Sequence, residues 1–396
     1  MKQDIKGFYR LGILSIMIFF LTYFFTYYAI YFNQSDPGYH AQIAEKLSIF
    51  HLQDQIQSGN TYFLWHLLVH LVFQVFGTSI TAAASIVTGM VNVITICIVY
   101  FYYNFNKMDS TIIGGITFAS LMVGPLFIPA FNEMYYIGQW SPNTWHNPTS
   151  IMVKPIGVLC VLIVIHFYNN KLQVTLKKLL FFSILLCLSV FAKPSFIQAF
   201  LPSIGIYTII SFLVEQDKKE KISCYIKFLM TLIPCTVILF ANTFIIFFSG
   251  DTLSEGIGVS FFRVLSFYSD NPWLSLILVI AFPLYALILY MKQLKGKKDV
   301  QISSLYLVIA WGEMAFLYEK GPRELHVNFS WAFMLAVFCF WIVIVKYYFS
   351  EERIASITKA TKIKKVQYIF GVGIFLCHFI LGIWYYISYF TSMICS

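Results

Sequence analysis

The chain has 396 residues, of which 59% are hydrophobic and only 11% charged. Soluble domains carry about 25% charged residues, so the composition excludes an ordinary soluble globular protein. The net charge of +9 does not indicate nucleic-acid binding, because the Lys and Arg sit in short loops between apolar runs, where they orient membrane helices. The eight cysteines include no C-x-x-C pair, so neither a disulfide framework nor a zinc ribbon is suggested.

In chain order, a basic start, M-K-Q-D-I-K-G-F-Y-R, leads into an apolar run at 10–32. That run is too long for a signal-peptide core and is expected to be an uncleaved first span. Further apolar runs fall at 61–77, 80–103, 111–130, 151–168, 179–194, 197–214, 225–249, 273–291, 301–317, 331–349 and 367–391. The run 61–77 is the doubtful one, with 17 residues, two His and only Gly77-Thr78-Ser79 before the next. If it spans, the Lys-rich loops fall outside. If it lies in the outer interface, they turn inward and the positive-inside rule is obeyed. Only Lys46, Lys154, Lys193, Arg263, Lys320 and Arg323 of the 27 basic residues then remain outside.

The expected architecture is therefore all-α and polytopic, a single transmembrane domain over 1–396. About 11 transmembrane helices are joined by an interfacial helix in the first outer loop, 33–79, with further outer loops at 131–150, 250–272 and 318–330. The N-terminus is placed in the cytoplasm and the C-terminus outside the cell membrane. Ser79, Asn147 and Ser330 stand where N-caps are wanted, with Pro148 at a first helical position. The basic segment 350–366 suits anionic lipid.

The outer side collects the unusual residues. The first loop carries Asp36, His40, Glu45, His51 and Asp54, followed by His66 and His70. The loop 131–150 holds Glu133, Trp145 and His146, and Lys154 and Lys193 lie at outer helix ends. Glu313 sits inside a span, where acids are costly and often functional. G-P-R-E-L-H sets Arg323 in a constrained turn beside His326. His66 and His70 have metal-ligand spacing but no third ligand, so no metal is assigned. There is no nucleotide-binding loop either, and no cofactor is expected.

The order Ser35-Asp36 with His40, then an aromatic-rich run from Asn60-Thr61-Tyr62 to Phe76-Gly77, then a span ending V-Y-F-Y-Y-N at 99–104, resembles a known family. It is similar to the polytopic GT-C-type glycosyltransferases that use polyprenyl-phosphate-linked sugars. The likeness covers roughly the first 105 residues. One departure is the single Asp followed by Pro-Gly, where many members carry two adjacent acids. The resemblance implies an inverting transfer of a sugar from a polyprenyl-phosphate donor to a cell-surface glycan, lipid or protein. Its partners are those substrates and membrane lipid.

Such a transfer needs a base for the acceptor hydroxyl and cations for the departing phosphate. Asp36 is the candidate base, though D-P-G is equally a turn signal. His40 would orient Asp36 or touch the acceptor, or be an ordinary interfacial His. Lys154, Lys193 and Arg323 are candidate phosphate ligands, or snorkel to head groups. Glu133, Trp145 and His146 suit a sugar ring, as they suit any membrane interface. Two rivals are a polymerase or ligase of lipid-linked oligosaccharides, which usually carries several outer Arg, and a non-enzymatic transporter, which would show broken helices and polar mid-span residues.

Overall fold

The computed structural model describes residues 2–32, 35–47, 62–105, 107–108, 112–132, 134, 139–248 and 256–395. Glu133, His51 and Asp54 lie outside the described residues. The chain begins with a long helix, α1 (Lys2–Tyr31), followed by α2 (Ser35–Glu45) and α3 (Leu64–Phe76). Then come α4 (Ile80–Phe105), α5 (Ile113–Met122), α6 (Pro148–Asn169), α7 (Leu176–Ala192), α8 (Ser195–Leu213), α9 (Lys218–Met230) and α10 (Ile233–Phe248). A strand, β1 (Gly256–Val259), precedes the short α11 (Leu265–Tyr268), the pair α12 (Pro272–Val279) and α13 (Ala281–Leu289), α14 (Met291–Leu294) and α15 (Lys298–Phe316). The chain closes with β2 (Leu317–Lys320), a 3-10 turn over Gly321–His326, α16 (Ser330–Tyr348), α17 (Glu351–Thr358) and α18 (Lys362–Cys395).

This is an all-α, multi-pass membrane protein. Among the described residues, seven helical stretches are long and apolar enough to cross a bilayer, and eight if the bent pair α12–α13 counts as one. The run 61–77 yields only the 13 residues of α3. At 1.5 Å per residue that is about 20 Å, short of the ~30 Å hydrocarbon core. The run 111–130 also falls short, because α5 is helical for only 10 residues. Pro125 pushes Gly124 out of the α region and offers no N–H, so the chain leaves the helix there.

The centre of the bundle is α16, whose residues are all buried except Tyr347. It is apolar all round, as a fully enclosed helix must be. Gly157 lets α6 close on it, for a Cβ there would come within 2.8 Å of Leu335 and 3.1 Å of Phe196. At the rim, α1 and α18 keep large apolar side chains such as Phe20, Phe24, Ile369 and Ile380 exposed, the surface lipid tails cover.

Two interruptions are held together. α12 and α13 meet at 66°, because the ring of Pro283 would collide with the Val279 carbonyl in a continuous helix. The freed carbonyl of Leu278 accepts from Leu126 N (3.2 Å), in the non-helical stretch after α5. His378, midway along α18 and fully buried, spans both breaks. Its Nδ1 lies 2.6 Å from Gly124 O, and Phe282 N donates to its Nε2 at 3.3 Å. An amide N–H only donates, so Nε2 is the acceptor and Nδ1 carries the proton given to Gly124.

The expected caps hold at two of three places. Ser79 Oγ accepts from Ala82 N (3.2 Å), and Asn147 Oδ1 accepts from Ser150 N (2.9 Å) with Pro148 opening the helix. Ser330 is instead the first helical residue, with Phe329 at the cap. Val327 takes a left-handed φ of 52° and its carbonyl accepts Ser330 N, which starts the helix one residue earlier than expected.

Contacts define two ends of the bundle. At one end lie the C-termini of α1, α7 and α15, the N-termini of α6, α8 and α16, and the β1–β2 ribbon. The opposite end carries Tyr100 on Gly7 O, Lys298 on Tyr168 O, and Lys346 on Asp299.

Candidate active site

The unusual polar residues converge on the first of these ends. Asp36 opens α2 in its first turn, where the helix N-terminus favours a negative charge. D-P-G is thus a helix start and not a free-standing turn. α2 rests on α3 through a direct bond between His40 Nδ1 and His66 Nε2 (2.8 Å) and through His70 Nδ1 on Ala44 O (3.0 Å). Burial pushes His66 down to about 4, and burial, His66 and Lys193 hold His40 well below its ordinary 6.5. Both imidazoles are neutral at pH 7, as a ring-to-ring bond requires of at least one.

Asn147 is the hub. Its Nδ2 donates to Asp36 Oδ2 at 2.7 Å. Its Oδ1 caps α6 and accepts from Thr149 Oγ1 (3.0 Å) and Lys193 Nζ (3.1 Å). Lys193 also donates to Thr149 Oγ1 at 2.9 Å and lies 4.6 Å above the Trp331 ring. Pro194 ends α7 at Lys193, and the extended backbone there aims the side chain into this cluster. Only 7% of Lys193 is exposed. Burial lowers its ammonium to about 7, partly offset by the Asp36 carboxylate. A cation so loosely holding its proton gains most from an incoming anion.

Beside Lys193 is a cavity of ≈ 140 Å³ lined by Tyr62, Gln198, Asn242, Glu319, Arg323 and His326, among others. Arg323 lies 3.9 Å from Glu319, which also accepts from Asn328 Nδ2 (2.8 Å). Burial raises the Tyr62 phenol, keeping it a hydrogen-bond donor. The cavity therefore presents an ammonium, an imidazole, neutral donors, and a guanidinium with the Glu319 carboxylate beside it.

Other expected residues stand elsewhere. Lys154 Nζ donates to Pro142 O (3.0 Å) and Asn143 Oδ1 (2.8 Å) and sits 4.5 Å over Phe338, so it ties the 142–143 loop to α6. Trp145 is buried against Phe25 and Tyr386, the second at 4.9 Å between ring centroids. His146 lies between Trp331 and Tyr389, and burial lowers it to about 4 against the pull of Asp36. Glu313 keeps a buried Oε2 with no hydrogen-bond partner among the described residues and does not line the cavity. Asp36, His40, Lys193, Arg323, His146 and His326 are brought to one end.

Sequence reasoning missed three contributors. Asn147 was legible only as a cap, Tyr62 only as part of an aromatic-rich run, and Trp331 only as the first residue of the apolar run 331–349. Among the described residues no three His, Cys, Asp or Glu gather as a metal site. No protein-family model, curated protein or solved structure matches the chain.

Proposed function

We propose that the chain is an inverting membrane glycosyltransferase of the GT-C type, acting on a polyprenyl-phosphate-linked sugar at the outer face of the cell membrane. The observation that carries this reading is the Asp36–Asn147–Lys193 chain beside a cavity containing Arg323. It supplies one proton acceptor for the attacking hydroxyl and two cations for the phosphate that leaves the sugar. In the reaction an acceptor hydroxyl attacks the anomeric carbon and Asp36 takes its proton. The bond from that carbon to the phosphate oxygen breaks, and polyprenyl phosphate leaves with the electron pair. Lys193 and Arg323 offset the charge that develops on it, with His326 and Tyr62 as neighbouring donors. No metal or other cofactor is assigned to the step. The acceptor is a cell-surface glycan, lipid or protein.

The reading also takes eleven passes across the membrane, with the N-terminus cytoplasmic, the C-terminus extracytoplasmic and α3 in the outer interface. On this count α5 with its extended continuation, α7, α15 and the α12–α13 pair each cross, supported by the gathering of basic loops at the end away from the site. Transfer measured with wild type and Asp36→Asn at equal membrane abundance tests the function.

One observation favours a second reading. Paired broken helices are a feature of transporters, and here α12–α13 is bent and tied through His378 to the break after α5. Against it, the backbone groups freed at the breaks bond each other and His378. A polymerase or ligase is disfavoured because Arg263 is already bound to Glu324 at 2.5 Å, leaving Arg323 as the cavity's arginine. Substrate movement without a transfer product would favour transport over transfer.

A further inference from the structure

At the end opposite the candidate site, a cleft of ≈ 680 Å³ opens between α4 and α6. Its walls are Ile98, Phe101 and Phe105 from α4 and Leu159, Leu162 and Ile165 from α6. Phe101 is 40% and Phe105 79% exposed, so the cleft opens sideways, where a bilayer lies. A volume of this size is that of a ligand pocket.

The cleft has a polar end, formed by His166 and Asn169 from the last turn of α6, with Asp299 and Lys346 behind them. Asp299 is already neutralised: Lys346 bonds it, and Tyr347 donates to it at 2.8 Å. Of the other acids nearby, Glu215 is paired with Lys221 at 2.6 Å, and Glu352 lines a neighbouring cavity with Lys297 and Arg353. Lys171, Lys297 and Lys298 stand next to residues of that end and do not line the cleft themselves: Lys171 N and Lys298 Nζ both donate to Tyr168 O at the end of α6, and Lys297 lies 6.0 Å over the ring of Tyr347, whose hydroxyl donates to Asp299. None of these three pairs with a carboxylate among the described residues. The rim therefore carries an excess of positive charge above an apolar slot.

We propose that this cleft binds one anionic membrane phospholipid, with an acyl chain along Phe101 and Leu162 and the phosphate at the rim of His166, Asn169 and the three lysines. Apolar area draws the chain and the lysines select the head group, since each basic residue near a membrane surface favours anionic lipid. The site is separate from the proposed transfer site and does not depend on that reading.

The test uses the purified full-length protein, incubated with equal phosphatidylglycerol and phosphatidylcholine of matched chains and analysed by native mass spectrometry. Wild type is expected to retain one phosphatidylglycerol with at least roughly tenfold preference. Leu162→Trp, which fills the slot, loses that bound lipid. The surface variant Lys171→Gln/Lys297→Gln, which leaves the core untouched, lowers the preference below about threefold while a lipid is still held. Equal retention of the two lipids by wild type overturns the proposal, as does unchanged preference in the double variant. Identification of the retained molecule as a polyprenyl lipid overturns the assigned occupant.

Discussion

Asn147→Asp separates two jobs of one side chain. Asparagine caps α6 and receives Lys193 through Oδ1, while Nδ2 holds Asp36 at 2.7 Å. Aspartate keeps the acceptor and remains a good N-cap, so the about 1 kcal/mol of the cap is preserved. It also gives Lys193 a full counter-charge. What it removes is the donor to Asp36, replaced by a like charge. A hydrogen bond to a charged group contributes about 1.5–3 kcal/mol. On the proposed reading, with all of that aiming Asp36 as the base, transfer falls by roughly 10- to 150-fold. Asn147→Ala loses the cap as well and is the less stable of the two. Transfer is read from the ratio of finished glycan to lipid-linked donor at equal membrane abundance, and stability from thermal unfolding in detergent. An Asn147→Asp protein that transfers within twofold of wild type refutes the linkage between Asn147 and the base.

His378→Ala orphans the Phe282 N–H and the Gly124 carbonyl, and at about 1–3 kcal/mol each the loss is about 2–6 kcal/mol. Thermal unfolding checks it, and a change under about 1 kcal/mol removes His378 as the tie between the breaks. The His40–His66 pair gives a pH dependence. Both folded values lie below the ordinary 6.5, so the unfolded chain binds more protons between 6.5 and the depressed folded values, about 4 for His66. The stability from this pair is fully present above 6.5 and is lost as pH falls toward 4. Protection factors of the α2 and α3 amides, with the intrinsic pH dependence of exchange divided out, should fall at pH 5 relative to 7.5, and His66→Phe should flatten that difference. Equal protection factors at both pH values contradict the assignment.

The sequence made the helices legible because spans need about 20 apolar residues, a signal that local chemistry cannot hide. The run 61–77, expected to fall short of a span, holds the short helix α3. The breaks were written in Gly124-Pro125 and Pro283, but a hydropathy window averages over a proline. Asp36, Lys193 and Arg323 stood out as charges against a greasy background, and the fold gathers them at one end. Lys154 and Lys193 looked alike in sequence, each a lysine at a helix end. Only tertiary neighbours separate them: Pro142 and Asn143 for the first, Asn147 and the cavity for the second. His40 and His66 are 26 positions apart, and no local pattern joins them. Asn147 hid behind its own cap, since an N-P pair already has a sufficient local explanation.

The central claim is that Asp36 takes a proton from a sugar acceptor. Its most direct test compares cells lacking the protein with cells carrying wild type or Asp36→Asn at equal membrane abundance. Mass spectrometry scores lipid-linked intermediates and finished surface glycan. The account predicts that the null and Asp36→Asn both lose one sugar and accumulate its polyprenyl-phosphate donor. Full rescue of the null by Asp36→Asn contradicts it.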